Sequence, residues 1–287
     1  MPDFPDGPAK PPDLPASPPL SQRTLVKIWA IHAAELEASL SHRLTDYLIP
    51  TEIDRLLALK PPQARRNFLV GRGCLRYLLG QVLDYPPSAV PLSYTAQGKP
   101  TLASDLSLQF NVSHSGDWVG IALAARPLGL DLEQERPLTD LAGLCDRCLA
   151  PEEVQAVQQL PPAGGTRQFL RYWVCKEAYA KGLGLGLGLP FTSVALDLPA
   201  DAEPPSPTPV AVRRGVAAGW HIYYGQWVPH YHGGLALSLE PGWQPTLALA
   251  LTTPAKLLAS IPQDLAELRR GLGLEFPGEK AADPGSR

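Results

Sequence analysis

Two short stretches of this chain hold acids and cations at spacings that could do chemistry. In "GLDLEQE", Asp131 and Glu133 stand two residues apart in an apolar, extended run. A strand sends i and i+2 to one face, so both carboxylates point the same way. Two like charges side by side repel unless a cation or a hydrogen-bond network lies between them. Carboxylate oxygens are hard ligands of the kind Mg²⁺ accepts while keeping waters and substrate phosphate in its shell. Taken alone, the pair is better explained as a solvated strand end. In "WVCKEAYAKGLG", Lys176, Glu177, Ala180 and Lys181 follow Trp173 on one helical stripe. Glu177 can thereby point at a metal with Lys176 and Lys181 beside it, an arrangement suited to polyphosphate. Ordinary Glu–Lys pairing on a wet helix face is the alternative.

Weaker signals surround these two. "NVSHSG", Asn111 to Gly116, offers Ser113, His114 and Ser115 as donors to an anion just ahead of the acidic strand, although a lone histidine is usually structural. "TAQGKP" places Lys99 in a tight turn. Arg65, Arg66, Arg72 and Arg76 recur along one helix and could meet phosphate or merely water. Cys145-x-x-Cys148 lacks the second pair that a zinc site needs.

The elements that must hold these groups follow from patterning. Residues 1–22 are dense in proline and poor in large apolar side chains, the signature of a disordered tail. "TLVKIWAIH" alternates as a strand. Thr51 to Leu79 reads as helix broken at Pro61-Pro62. "LQFNVSHSGDWVGIALAARPLGLDLEQE" reads as consecutive strands, and "APEEVQAVQQL" as a short helix. A Gly-Gly loop then leads to Thr166, an expected N-cap for the helix carrying the lysines. "WHIYYGQWV", "GGLALSLE" and "TLALALTT" suit an antiparallel meander. A final helix is expected in "PAKLLASIPQDLAELRRGL". This order predicts an α+β fold. The 287 residues allow one large domain or two halves. A net charge of −3 does not suit a nucleic-acid binder. No apolar run reaches membrane-spanning length, and no secretory signal is visible. Four cysteines without such a signal suit a reducing cytoplasm.

In order and spacing, "GKP", "FNVSHSGDWVGIAL", "GLDLE" and "WVCKEAYAKGLG" resemble the 4′-phosphopantetheinyl transferases of the surfactin-synthetase type, over roughly residues 25–255. "DRLLALKPPQARRNFLVGRGCLR" is similar to that family's N-terminal arginine helix. The resemblance implies two similar α+β halves packed as an intramolecular pseudo-dimer, each with a small antiparallel sheet and a long helix. Coenzyme A is expected between them. The expected partition is a tail at 1–22, halves at 23–126 and 127–255, and a C-terminal helix and tail at 256–287.

The implied activity is transfer of the phosphopantetheine arm of coenzyme A to a serine of an acyl, peptidyl or aryl carrier protein, by a monomer. Carried over residue by residue, Asp131, Glu133 and Glu177 match ligands of Mg²⁺, or of Mn²⁺ in its place. Glu177 and Lys181 match the catalytic pair. Arg55, Lys99, Ser113, His114, Asp131, Lys176 and Lys181 match coenzyme A-binding positions, and Trp173 packs the helix against the sheet. The carrier is expected to meet the helix after Thr51 and the loops near Cys145. A Mg²⁺-dependent phosphodiesterase or nucleotide hydrolase, and a non-catalytic coenzyme A- or carrier-binding module, are the alternatives.

Overall fold

The computed structural model describes residues 23–95, 99–102, 108–199 and 204–260, together with Leu265, Leu268 and Arg269. The proline-rich segment 1–22, Gly98 of the GKP turn and most of the segment after 260 lie outside the described residues. Strand β1 (Arg23–His32) is followed by helices α1 (Ala38–Asp46), α2 (Pro50–Ala58) and α3 (Pro62–Leu83). Five strands come next: β2 (Leu92–Tyr94), β3 (Pro100–Leu102), β4 (Gln109–Ser115), β5 (Trp118–Ala124) and β6 (Leu128–Gln134). Helices α4 (Leu141–Cys148), α5 (Pro151–Gln158) and α6 (Pro162–Leu183) repeat the helical run. Strands β7 (Ala195–Asp197), β8 (Thr208–Arg214), β9 (Trp220–Val228), β10 (Tyr231–Ser238) and β11 (Gln244–Thr252) precede α7 (Pro254–Ser260).

The fold is α+β and consists of two halves. One sheet has the order β11-β1-β5-β4, the other β6-β10-β9-β8-β7. Side-chain alternation sorts the core into layers. Trp29 and Ile31 of β1 pack under α3 with Leu75, Leu78 and Leu79. Val26, Ile28 and Ala30 of the same strand face Leu128, Leu130 and Leu132 of β6 across the space between the sheets. Phe169, Val174 and Ala178 of α6 pack on Ile222, Tyr224 and Ala236 of the second sheet. The two sheets therefore lie face to face with a long helix outside each. Because Leu128, Leu130 and Leu132 point inward, Asp131 and Glu133 must point toward α6.

Two local expectations are corrected. The motif helix starts at Pro162 rather than after Thr166, which lies in its second turn. Proline at the first helical position has the required φ and gives up only an N–H that has no intrahelical partner. The last three strands do not form a meander: β9 and β10 pair antiparallel, but β11 crosses to the first sheet and runs parallel to β1, with Ile28 beside Leu249. Thus β11, from the region expected in the C-terminal half, completes the N-terminal sheet.

Gly129, two residues before Asp131, and Gly234, the cross-strand partner of Asp131, allow α6 to touch the second sheet. A Cβ on Gly129 would lie 1.9 Å from the Ala178 carbonyl oxygen, and one on Gly234 would lie 2.2 Å from that of Val174. Gly129→Ala should therefore push α6 off its strand. The expected cost is about 1–3 kcal/mol, measured by urea unfolding, with any function of the acid face falling further than the small change in side-chain volume suggests.

Candidate functional site

The edge strands of the two sheets, β4 and β6, meet through side chains rather than a backbone ladder. The amide N–H groups of Leu130, Leu132 and Gln134 donate to Asn111 Oδ1 (3.0 Å), Ser113 Oγ (3.2 Å) and Ser115 Oγ (3.1 Å). Asn111, Ser113 and Ser115 alternate along β4 and so share its face toward the second sheet. The same two hydroxyls donate onward, Ser113 to Asp131 Oδ1 (2.8 Å) and Ser115 to Glu133 Oε2 (2.7 Å). The "NVSHS" motif is therefore first of all the seam between the halves.

Helix α6 closes this seam from above. Lys181 Nζ donates to Asp131 Oδ1 at 2.6 Å and to Ser113 Oγ at 3.1 Å. Lys99 Nζ donates to the Lys181 carbonyl at 2.5 Å, tying the GKP turn to the end of α6. Glu177, one turn before Lys181, is half-buried over the acidic strand. Burial first, and then the charge of Asp131, raises its pKa above the usual carboxylate range. Glu133 is raised as well, chiefly by burial. Lys99 and His114 are lowered by burial and by the Lys181 charge.

Among the described residues, no three His, Cys, Asp or Glu side chains converge closely enough to hold a metal ion as they stand. The donor chemistry nevertheless fits a hard divalent cation. Three carboxylates share one partly buried face, the charges of Asp131 and Glu133 help raise the Glu177 pKa, and the buried Asp131 Oδ2 has no hydrogen-bond partner. A buried, unpartnered carboxylate oxygen is costly unless a cation or donor meets it.

Arg55, Asn67, Phe68, Arg72, Val112 and His114 line a neighbouring cavity on the α3 side of β4. Arg55 lies over the Phe68 ring at 5.5 Å. The four arginines of the helix have separate tasks. Arg65 donates to the Leu59 carbonyl, and Arg66 pairs with Asp117 at the β4–β5 turn. Arg76 is buried against Glu52 and the carbonyls of Pro87 and Val90. Arg72 lines the cavity; its Nε lies 3.4 Å from Glu52 Oε1, an ion pair without hydrogen-bond geometry, and its Nη1 is buried without an acceptor.

Lys176 is not brought into the cluster. Its fully buried Nζ donates to Glu153 Oε2 (2.5 Å) and to the carbonyls of Cys148 (3.0 Å) and Phe191 (2.9 Å). A helix presents adjacent residues about 100° apart, so Glu177 can face the strand only by turning Lys176 toward α5. Trp173 packs on Phe169 (6.1 Å) and edge-on to Phe191 (5.6 Å), at the margin of the core between α6 and the second sheet. Sequence reasoning missed Glu153. Its position three residues after Ala150, where it accepts that residue's N–H at 2.8 Å, was the available signal.

Residues 127–236 match the 4′-phosphopantetheinyl transferase superfamily, and residues 36–126 match the 4′-phosphopantetheinyl transferase N-terminal family. Over 163 residues the chain is 38% identical to the 4′-phosphopantetheinyl transferase HetI of Nostoc sp., covering 54% of this chain and 67% of the relative. It is 32% identical to the 4′-phosphopantetheinyl transferase psf-1 of Bacillus pumilus, covering 40% of this chain and 49% of the relative. For AcpT of Escherichia coli the identity is also 32%, covering 42% and 64%. The chain thus spans less than two thirds of the latter two relatives.

The Lys176 contacts predict a distinctive stability pattern. Lys176→Met leaves Glu153 buried without its cation and should cost about 3–5 kcal/mol. Adding Glu153→Gln removes the unpaired charge but keeps one acceptor oxygen for the two backbone N–H groups, of Ala150 and Leu196, that the carboxylate receives on separate oxygens, so it should restore only part of that loss in urea unfolding.

Proposed function

Because the chain belongs to the 4′-phosphopantetheinyl transferase superfamily, we propose that it moves the 4′-phosphopantetheine arm of coenzyme A onto a serine hydroxyl of an acyl, peptidyl or aryl carrier protein. The observation that carries this reading is the convergence of Glu177 and Lys181, one helical turn apart, on the acidic strand at Asp131. The serine oxygen bonds to the β-phosphorus as the bond from that phosphorus to the bridging oxygen breaks. Adenosine 3′,5′-bisphosphate leaves with the bridging oxygen.

Glu177, half-buried one helical turn before Lys181, takes the serine proton. Lys181 neutralises charge on the leaving phosphate. Lys99, fixed to the Lys181 backbone, adds a second cation at the same end of the groove. Arg55, Arg72 and His114 line the cavity that suits the 3′-phosphate and adenosine end. Asp131, Glu133 and Glu177 would hold Mg²⁺, which would screen the charge of the diphosphate as it is cleaved. Ser113 also serves this site from the seam, by hydrogen bonds to Asp131 and Lys181.

One chain supplies both the β4 and the β6 sides of the site, which favours a working monomer. Among the described residues no helix is long and apolar enough to cross a membrane. All four cysteines are free thiols, and we place the reaction in the reducing cytoplasm.

Incubating apo-carrier proteins with coenzyme A and Mg²⁺ should add one phosphopantetheine to the carrier, detected by mass spectrometry. Glu177→Gln should cut the rate by about 10²–10⁴-fold while leaving thermal unfolding close to that of the unsubstituted chain. Undiminished transfer by that variant would remove Glu177 from the chemistry. Adenosine bisphosphate released without any carrier would mark a hydrolase instead.

A further inference from the structure

The seam between β4 and β6 has three rungs of unequal chemistry. At each rung a β4 side chain accepts a β6 amide proton, which is all that joining the strands requires. Asn111 meets that need for Leu130, on the rung where the preceding β6 residue is Gly129 and there is no acid. The other two rungs carry Asp131 and Glu133, and there the β4 residue is a serine. A hydroxyl has one proton to give and two lone pairs to receive with. With Gln134 N–H bound to its oxygen at 3.1 Å, the Ser115 hydroxyl directs its proton to Glu133 Oε2 at 2.7 Å. Ser113 repeats the arrangement for Asp131, but that acid also has Lys181 at 2.6 Å. Glu133 has no ion pair of that kind among the described residues, so Ser115 is the group that fixes its carboxylate.

From this pattern we infer that Ser115 is a positioning residue for metal binding: its hydroxyl, locked by the Gln134 amide, holds the Glu133 carboxylate in the orientation that a divalent ion needs. The inference rests on the proposed role of Asp131, Glu133 and Glu177 as an ion-holding set. It extends that role to a residue outside the set. Groups that orient metal ligands through hydrogen bonds commonly change affinity by about 10–100-fold when removed.

The test titrates Mn²⁺ alone, in place of Mg²⁺, into the full chain in the presence of coenzyme A without carrier, counting free ion by its paramagnetic resonance signal. Ser115→Ala should weaken binding about tenfold, and Ser115→Thr, which keeps the hydroxyl, should bind like the unsubstituted chain. Ser115→Cys preserves volume with a weaker donor and should fall between them, giving a reading even if the alanine variant unfolds. Binding by the alanine and cysteine variants equal to that of the unsubstituted chain overturns the inference and leaves the transferase proposal intact. No Mn²⁺ binding by the unsubstituted chain overturns both.

Discussion

Everything in the site depends on how closely α6 lies against β6 and β10. Side chains normally hold a helix away from the sheet it covers. At Gly129 and Gly234 there is no side chain, and the Ala178 and Val174 carbonyls occupy the space that a Cβ would need. That contact brings Lys181 Nζ within 2.6 Å of Asp131 and sets Glu177 among the acids. The glycine of "GLDLE" is thus as much a part of the site as its acids, through shape alone.

The two halves share one frame and differ in what they mount on it. Helices α3 and α6 are both 22 residues long, begin with proline and end at a left-handed residue, Asp84 or Gly184. In each, a buried cation reaches back to a buried glutamate at the start of a short preceding helix: Arg76 to Glu52 and Lys176 to Glu153. At the positions corresponding to Glu177 and Lys181, α3 carries Tyr77 and Gln81. Tyr77 donates to the Leu258 carbonyl, and the Gln81 carbonyl accepts from Arg269, so the C-terminal segment covers this part of α3. The proposed base and cation, Glu177 and Lys181, stand on α6, while the N-terminal half contributes β4, Lys99 and the arginine-lined cavity.

The seam explains how two sheets can build one site without merging. A continuous backbone ladder would align β4 and β6 and leave no room for hydroxyls between them. Side-chain acceptors leave the strand edges apart, and the serines use that distance to reach both an amide and an acid. The second crossover, β11 beside β1, returns the chain to the first sheet and joins the halves again. Arg126, which stacks on Trp243 at 4.5 Å and pairs with Glu240 at 2.6 Å, fastens the two crossing segments together.

Local pattern alone determined much of this protein. Alternation placed Asp131 and Glu133 on one strand face, helical spacing aligned Glu177 with Lys181, and Pro61-Pro62 marked the start of α3. These features depend on residues within a few positions of one another, so they are written in short stretches. Tertiary structure decided what lies opposite. Lys176 shares its motif with Glu177, yet the turn of the helix sends it to Glu153, twenty-three residues earlier. Ser113 and His114 are adjacent, yet strand alternation gives one to the acids and the other to the arginine cavity. The β11 strand has the pattern of a meander, but its partner is β1, more than two hundred residues away. Pairing across such distances is set by which surfaces remain unburied once the rest has folded, and no short stretch carries that information.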